Sequence, residues 1–230
     1  MPISRHTFLA GAASLPLAAR SVSASDPALT LTAAPARLQI APPDYPATDV
    51  WAYDGQVPGR MLRYRQGDEV QVRLDNTLDQ PTTVHWHGLR LPNAMDGVPY
   101  LTQMPIAGGE TFDYEFTPPD AGTYWYHPHC MTMSQMAHGL TGVMVIREAE
   151  DPGFDGDQAV NLRDFRLAED GSFLPYYTAR GAARSGTFGN VQTANWLQAP
   201  VYDHPAGGLV RLRVVNTDTT RIYRLHLSTG

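Results

Sequence analysis

The stretch Asp68–Asn76 reads DEVQVRLDN, and its apolar residues occupy every second position. Val70, Val72 and Leu74 alternate with charged and amide side chains. Successive side chains of a β-strand point to opposite faces, so this period predicts a strand with one apolar face and one polar face.

The same period returns in Glu110–Phe116, ETFDYEF, and in Gly207–Asn216, GGLVRLRVVN. Val143–Ile146 is uniformly apolar and predicts a strand that is buried on both faces. Glycine and proline turn signals separate these runs, for example Gly108-Gly109. Short strands at regular spacing predict an all-β sandwich.

A polar, acidic segment at Arg147–Val160 predicts a junction between a first domain, residues 25–150, and a second, residues 151–230. The second is short for a sandwich. Its alternating run places Val210, Leu212 and Val214 on one face, and Arg221–Thr229, RIYRLHLST, is predicted as its last strand. A sandwich of this size would leave an apolar face and an edge uncovered, which predicts a partial, truncated second domain. A small but complete second domain is the alternative.

Composition excludes several classes of function. The net charge of −6 provides no basic patch for nucleic acid or an anionic membrane. Cys130 is the single cysteine of the sequence, so no disulfide forms within the chain. After the N-terminal run no apolar stretch approaches the roughly 20 residues of a membrane span, and we expect none.

Residues 1–24 have the layout of an export signal. Arg5 and His6 precede an apolar run, Phe8–Ala19, and Val22-Ser23-Ala24 provides a small-x-small cleavage site. Ser4–Leu9 resembles a degenerate twin-arginine signal, with His6 in place of the second arginine. The mature protein is therefore predicted to be periplasmic or secreted, by the Tat or the Sec route. A disordered cytosolic tail is the alternative.

Four of the eight histidines form two His-x-His pairs, His85/His87 and His127/His129. On a strand, both members of a pair project to the same face, so two neighbouring strands would bring four imidazoles together. Buried imidazoles need partners, and a metal ion satisfies several at once. An all-nitrogen set suits copper, zinc, iron or nickel. A surface or hydrogen-bonded core role is the alternative for either pair alone.

The motifs HWHGL, His85–Leu89, and WYHPH, Trp125–His129, resemble the first two copper-binding motifs of the multicopper oxidases, the laccase-like enzymes. Further likeness extends over about residues 40–230. The resemblance implies a cupredoxin-like Greek-key β-sandwich, with one complete domain followed by a partial second one.

The resemblance also implies a role for each histidine. His85 would be a ligand of the type 2 copper, His87 and His127 would bind one copper of the type 3 pair, and His129 would bind the other. These ions form the trinuclear centre at which the family reduces O2 to water. Asp96 matches an acidic residue that feeds protons to that reaction, so it is the candidate catalytic residue. A turn residue before a glycine is the alternative for Asp96.

Two further features of the sequence invite a copper-binding interpretation. Cys130 follows the second histidine pair but lies outside the family's type 1 copper motif, so we predict a small buried residue. Met131, Met133 and Met136 are predicted to pack in the core, with soft copper capture as the alternative.

The family's centre needs four more histidines and a type 1 copper, which come from a C-terminal cupredoxin domain. The resemblance therefore implies the N-terminal portion of an exported oxidase that couples oxidation of a phenolic, amine or metal-ion donor to reduction of O2. The 230-residue chain alone is expected to be inactive. An exported copper carrier without oxidase activity is the first alternative, and a cupredoxin scaffold that has lost catalysis is the second.

Overall fold

The computed structural model describes residues 29–228. The export signal predicted for residues 1–24 lies outside this range. The strands are β1 Leu29–Leu38, β2 Thr48–Tyr53, β3 Gly59–Arg65, β4 Val70–Asn76, β5 His85–His87, β6 Thr111–Phe116, β7 Gly122–His127, β8 Gly142–Arg147, β9 Gly156–Phe165, β10 Val191–Ala194 and β11 Val210–Asn216. The helices are α1 Thr132–Ala137 and α2 Ala179–Ala182, and a 3₁₀ turn covers Asn93–Met95. None of the helices within residues 29–228 has the length and apolar character needed to cross a bilayer.

Two four-stranded sheets form a sandwich, with strand orders β2-β1-β4-β6 and β3-β8-β7-β5. The pairs β1/β4 and β3/β8 are parallel, and the other neighbours are antiparallel. The parallel pairs join strands that are distant in the sequence, so the chain crosses between the sheets repeatedly. This topology agrees with the predicted all-β Greek-key sandwich.

The sandwich core lies between these two sheets. Val70, Val72 and Leu74 of β4 are fully buried, which confirms the face predicted from the two-residue period. Each such aliphatic side chain stabilises the fold by about 1.5–3 kcal/mol when fully buried. Their buried partners in the facing sheet are Leu62, Trp86, Tyr126, Met144 and Ile146.

Strand β8 is buried on both faces, as predicted from its uniformly apolar sequence. Met144 and Ile146 point into the sandwich core. The other face of β8 meets a three-stranded sheet of order β10-β9-β11, in which β9 and β11 are parallel. The interface cluster between these sheets consists of Val143, Val145, Ala159 and Val215.

Strand β11 forms as predicted, but its apolar face is the exposed one. Leu212 and Val214 are 51% and 41% exposed, whereas Arg213 and Val215 are buried. Burial of Arg213 is tolerated because Asp157 of β9 accepts two hydrogen bonds from its guanidinium, at 2.5 and 2.8 Å.

The prediction of a last strand at Arg221–Thr229 is wrong for the described residues, 221–228, which belong to no strand. The start of this segment is held by side chains. The backbone N–H of Arg221 donates to Asp218 at 2.7 Å, and its guanidinium donates to Asp164 at 2.6 Å. These contacts favour a loop conformation over a strand ladder at this point.

Candidate metal centre

Pairing of β5 with β7 creates the candidate site. The antiparallel register places His85 directly opposite His127 and His87 opposite Trp125. Their side chains share the outer face of the sheet, while Trp86 points into the sandwich core. The paired strands therefore bring together three of the four predicted histidines, His85, His87 and His127.

His129 does not belong to β7, contrary to the strand predicted for the second pair. The strand ends at His127, because Pro128 has no N–H to continue the ladder. The backbone N–H of His129 instead donates to the Thr83 hydroxyl at 3.2 Å. The resulting turn leaves the ring centroid of His129 5.3 Å from that of His85, so the fourth imidazole still joins the group.

Ring nitrogens of three of these imidazoles lie at separations that suit a shared metal ion. One ring nitrogen from each of His85, His87 and His127 lies within 4.8 Å of the others. Nδ1 of His87 is 3.3 Å from Nε2 of His127. Two imidazoles bound to one ion at about 2.0–2.1 Å, with a tetrahedral angle, have nitrogens about 3.3 Å apart.

Backbone carbonyls fix which nitrogen of two rings faces the cluster. Nδ1 of His85 donates to the Asp96 carbonyl at 2.7 Å, and Nδ1 of His127 donates to the Pro128 carbonyl at 2.9 Å. Each Nε2 then carries the lone pair. A second ring nitrogen bonded to a carbonyl is the usual outer support of a metal-bound histidine.

Desolvation favours the neutral form of three of the four imidazoles. It lowers the pKa of His127 to about 3 and is also the main reason that the pKa values of His87 and His129 are lowered. Repulsion between neighbouring imidazolium charges acts in the same direction. At neutral pH the rings of His87, His127 and His129 therefore need not lose a proton before they bind a metal ion.

The lowered pKa of His127 predicts acid sensitivity of the metal-free protein. Below the ordinary pKa of 6.5, the unfolded chain takes up a proton that the folded chain does not bind until about pH 3. Stability must therefore fall as the pH drops through this window, at up to about 1.4 kcal/mol per pH unit for one group. Urea denaturation at pH 7, 5.5 and 4 should show a smaller fall for His127→Gln than for the parent chain. Equal falls would contradict the assignment.

Gly97 positions the carbonyl of Asp96 against His85. Its φ of +74° lies in the left-handed region, and an added Cβ would overlap the Val84 carbonyl oxygen. The Asp96 carboxylate lies 3.4 Å from Nδ1 of His85. Gly97 was not singled out from the sequence, although an Asp-Gly step is a signal for a left-handed turn.

Substitution Gly97→Ala should destabilise the protein by more than backbone strain alone. Gly67 is a matched control, because its φ is +83° but a Cβ there meets nothing within 4 Å. We expect Gly97→Ala to cost about 1–3 kcal/mol more than Gly67→Ala, the usual cost of overpacking. Urea unfolding of both variants measures the difference, and equal costs would argue against a close approach at Gly97.

Trp125 is a second residue of the site that the sequence interpretation did not assign. Its ring stacks on His127, with centroids 4.2 Å apart and planes 24° apart. It also stacks on His87, with centroids 4.6 Å apart and planes 29° apart. Two-residue alternation along β7 would have placed it beside His127 on the same face.

Some of the residues after the second histidine pair are buried and others are exposed. Cys130 is buried, as predicted. Met136 is also buried, but core packing was the wrong prediction for Met131 and Met133, which are 59% and 53% exposed. The buried residues of α1 are Gln135 and Met136, so one face of this short helix covers the sandwich and the other is open.

The all-β Greek-key sandwich, with imidazoles grouped on two paired strands, defines the class as a cupredoxin-like protein. The chain belongs to the multicopper oxidase family, because a family model described as "Multicopper oxidase" matches residues 36–151. This confirms the resemblance carried by the two histidine motifs. Copper is the metal that membership of this family supports.

Three known proteins illustrate the relationship. Multicopper oxidase MmcO of Mycobacterium tuberculosis is 38% identical over 149 residues, which are 64% of this chain and 28% of MmcO. Copper resistance protein A of Pseudomonas syringae pv. tomato is 42% identical over 117 residues, 50% of this chain and 19% of that protein. A multicopper oxidase structure from Pseudomonas thermotolerans is 46% identical with a TM-score of 0.83, covering 88% of this chain and 49% of that one. The chain thus matches half or less of each relative.

Proposed function

We propose that this chain is the N-terminal portion of an exported multicopper oxidase. Residues 25–150 form its first cupredoxin domain, and residues 151–230 form part of a second. His85, His87, His127 and His129 supply half of the histidines of a trinuclear copper centre. The observation that carries the proposal is the 3.3 Å separation between Nδ1 of His87 and Nε2 of His127, which suits two ligands of one ion.

The four histidines have different roles in this proposal. His87 and His127 hold one copper of the type 3 pair, and His129, outside their close group, holds the other. His85 offers Nε2 to the type 2 copper, because its Nδ1 is bonded to the Asp96 carbonyl. When bound, the copper ions supply the redox chemistry that reduces O2 to water.

Asp96 is the proposed proton-handling residue. Its carboxylate is partly exposed and lies 3.4 Å from Nδ1 of His85, so it stands between solvent and the histidine cluster. Reduction of O2 consumes protons, and a carboxylate at this position can take a proton from water and release it towards the cluster. Its backbone carbonyl meanwhile keeps the His85 ring oriented.

The chain alone should not complete the reaction. His87 and His129 are exposed, so the cluster is open on one side to further ligands. We propose that a C-terminal cupredoxin domain supplies the remaining histidines and the type 1 copper. The reducing substrate, a phenol, an amine or a low-valent metal ion, would donate electrons through that domain.

Oxygen uptake tests this proposal. The full-length protein should consume one O2 for every four electrons taken from a phenolic donor or from Cu(I). The 230-residue chain, loaded with copper in the same way, should show only background uptake. Absence of copper-dependent uptake by the full-length protein with every donor class would overturn the proposal.

Exported copper binding without oxidase activity is the second candidate function. Exposure of Met131 and Met133 beside the second histidine pair favours it, since thioethers and imidazoles together suit soft Cu(I). Copper stoichiometry discriminates the two functions. One tightly held copper per chain, retained in a full-length protein that consumes no O2, would favour the carrier.

A further inference from the structure

Trp125 connects the histidine cluster to the three-stranded sheet. We propose that strand β11, through Val215 and Arg213, holds Trp125 against His87 and His127 and thereby sets the spacing of these two metal-binding rings. The metal-binding part of this inference rests on the proposed function, whereas the packing part concerns the metal-free protein.

Trp125 stacks on the imidazoles of both His87 and His127. One indole lies within 4.2–4.6 Å of both ring centroids, with interplanar angles of 24–29°. Such stacking restricts the tilt of each imidazole and adds about 0.5–1.5 kcal/mol per aromatic pair. A displaced indole would therefore change the direction in which Nδ1 of His87 and Nε2 of His127 point.

Trp125 also packs against the interface cluster between the two sheets. The indole packs against the interface cluster, which includes Val143, its cross-strand partner on β8. Val215 of β11 belongs to the same cluster and comes from the facing sheet. Removing part of the Val215 side chain would leave a cavity in the cluster against which the indole packs, because protein interiors are closely packed.

A hydrogen bond between Arg213 and Thr123, here called the anchor, joins β11 to β7. A guanidinium nitrogen of buried Arg213 donates to the Thr123 hydroxyl at 2.9 Å, and Asp157 neutralises its charge. Thr123 lies two residues before Trp125, so both side chains share one face of β7. The anchor therefore ties β11 to β7 close to Trp125, and Val215 follows Arg213 by two residues on the same buried face of β11.

Exposed Val214 provides a matched control on the opposite face of the same strand. The experiment compares the full chain with Val215→Ala, Val214→Ala and Val215→Ile, the last of which keeps the β-branched side chain and adds one methylene. Thr123→Val is an additional variant that removes the hydroxyl of the anchor without creating a cavity. Urea unfolding confirms that each variant is folded under the conditions used.

Three measurements separate the packing claim from metal binding. In metal-free protein, NMR chemical shifts of the His87 and His127 ring protons report their position over the indole. In copper-loaded protein, competition with a chelator reports Cu(II) affinity, and EPR reports the ligand environment. We expect Val215→Ala to displace the ring-proton shifts, to alter the EPR spectrum and to lower copper affinity about 10-fold, the scale of outer-shell changes. Thr123→Val should change all three measurements in the same way as Val215→Ala.

Val214→Ala should behave like the parent chain, and Val215→Ile, which fills the space that Val215→Ala leaves, should keep a copper affinity clearly above that of Val215→Ala. The inference is overturned if Val215→Ala and Val214→Ala give the same ring-proton shifts and the same copper affinity. If the parent chain binds no copper at the histidines, the proposed function fails. The packing claim is then decided by the metal-free shifts alone.

Discussion

Replacing His127 by glutamine should abolish stoichiometric copper binding at the histidine cluster. Outer-shell changes cost about 10–100-fold in metal affinity, so loss of a direct ligand should exceed roughly 100-fold. His127 is the ligand of choice because its Nε2 lies 3.3 Å from Nδ1 of His87 and its Nδ1 is already held by the Pro128 carbonyl. Glutamine keeps a polar side chain of similar reach but offers no imidazole nitrogen.

Copper affinity is measured by competition with a chelator of known strength. His226→Gln is the control, since His226 is exposed and lies in the segment after β11. The control should bind copper as the parent chain does. Parent-like affinity in His127→Gln would mean that copper binds elsewhere on the chain.

Trp86→Ala should have the largest effect on stability, about 3–5 kcal/mol. Trp86 lies between His85 and His87 in the sequence, and its side chain is fully buried. The centroid of its ring is 5.4 Å from that of Tyr114 and 6.0 Å from that of Tyr126. Domains of this kind are stable by only about 5–15 kcal/mol in total, so this variant should be close to unfolding. Urea denaturation followed by far-UV circular dichroism measures the loss.

Trp86→Phe is the companion variant. It keeps an aromatic ring in the core and removes the indole N–H, which finds no acceptor among the described residues. Its cost should therefore be clearly smaller than that of Trp86→Ala. Equal costs for the two variants would show that ring packing at this position contributes little.

Much of the fold was predictable because its signals are local. The alternation around Val70 identifies a half-buried strand, and the apolar run at Val143 identifies a doubly buried one, without knowledge of their partners. The first histidine pair is equally local, since a spacing of two residues on β5 fixes a common face, whereas His129 lies beyond the end of β7. The carbonyls of Asp96 and Pro128 that orient the rings could not be predicted, because their positions depend on backbone turns.

The errors concern which face of an element is covered. Alternation defined two faces of β11, but burial of Arg213 depends on Asp157, 56 residues earlier in the chain. The apolar character of Met133 likewise gave no information on which face of α1 meets the sandwich. Partners that are distant in sequence decide both outcomes, and a local pattern does not contain them.

Anomalous diffraction from copper-loaded crystals, recorded at the copper absorption edge, tests the central claim most directly. The account predicts a copper peak within bonding distance of both Nδ1 of His87 and Nε2 of His127, with His85 turned to present Nε2. A copper peak at Met131 and Met133, with none between the histidine rings, would contradict it.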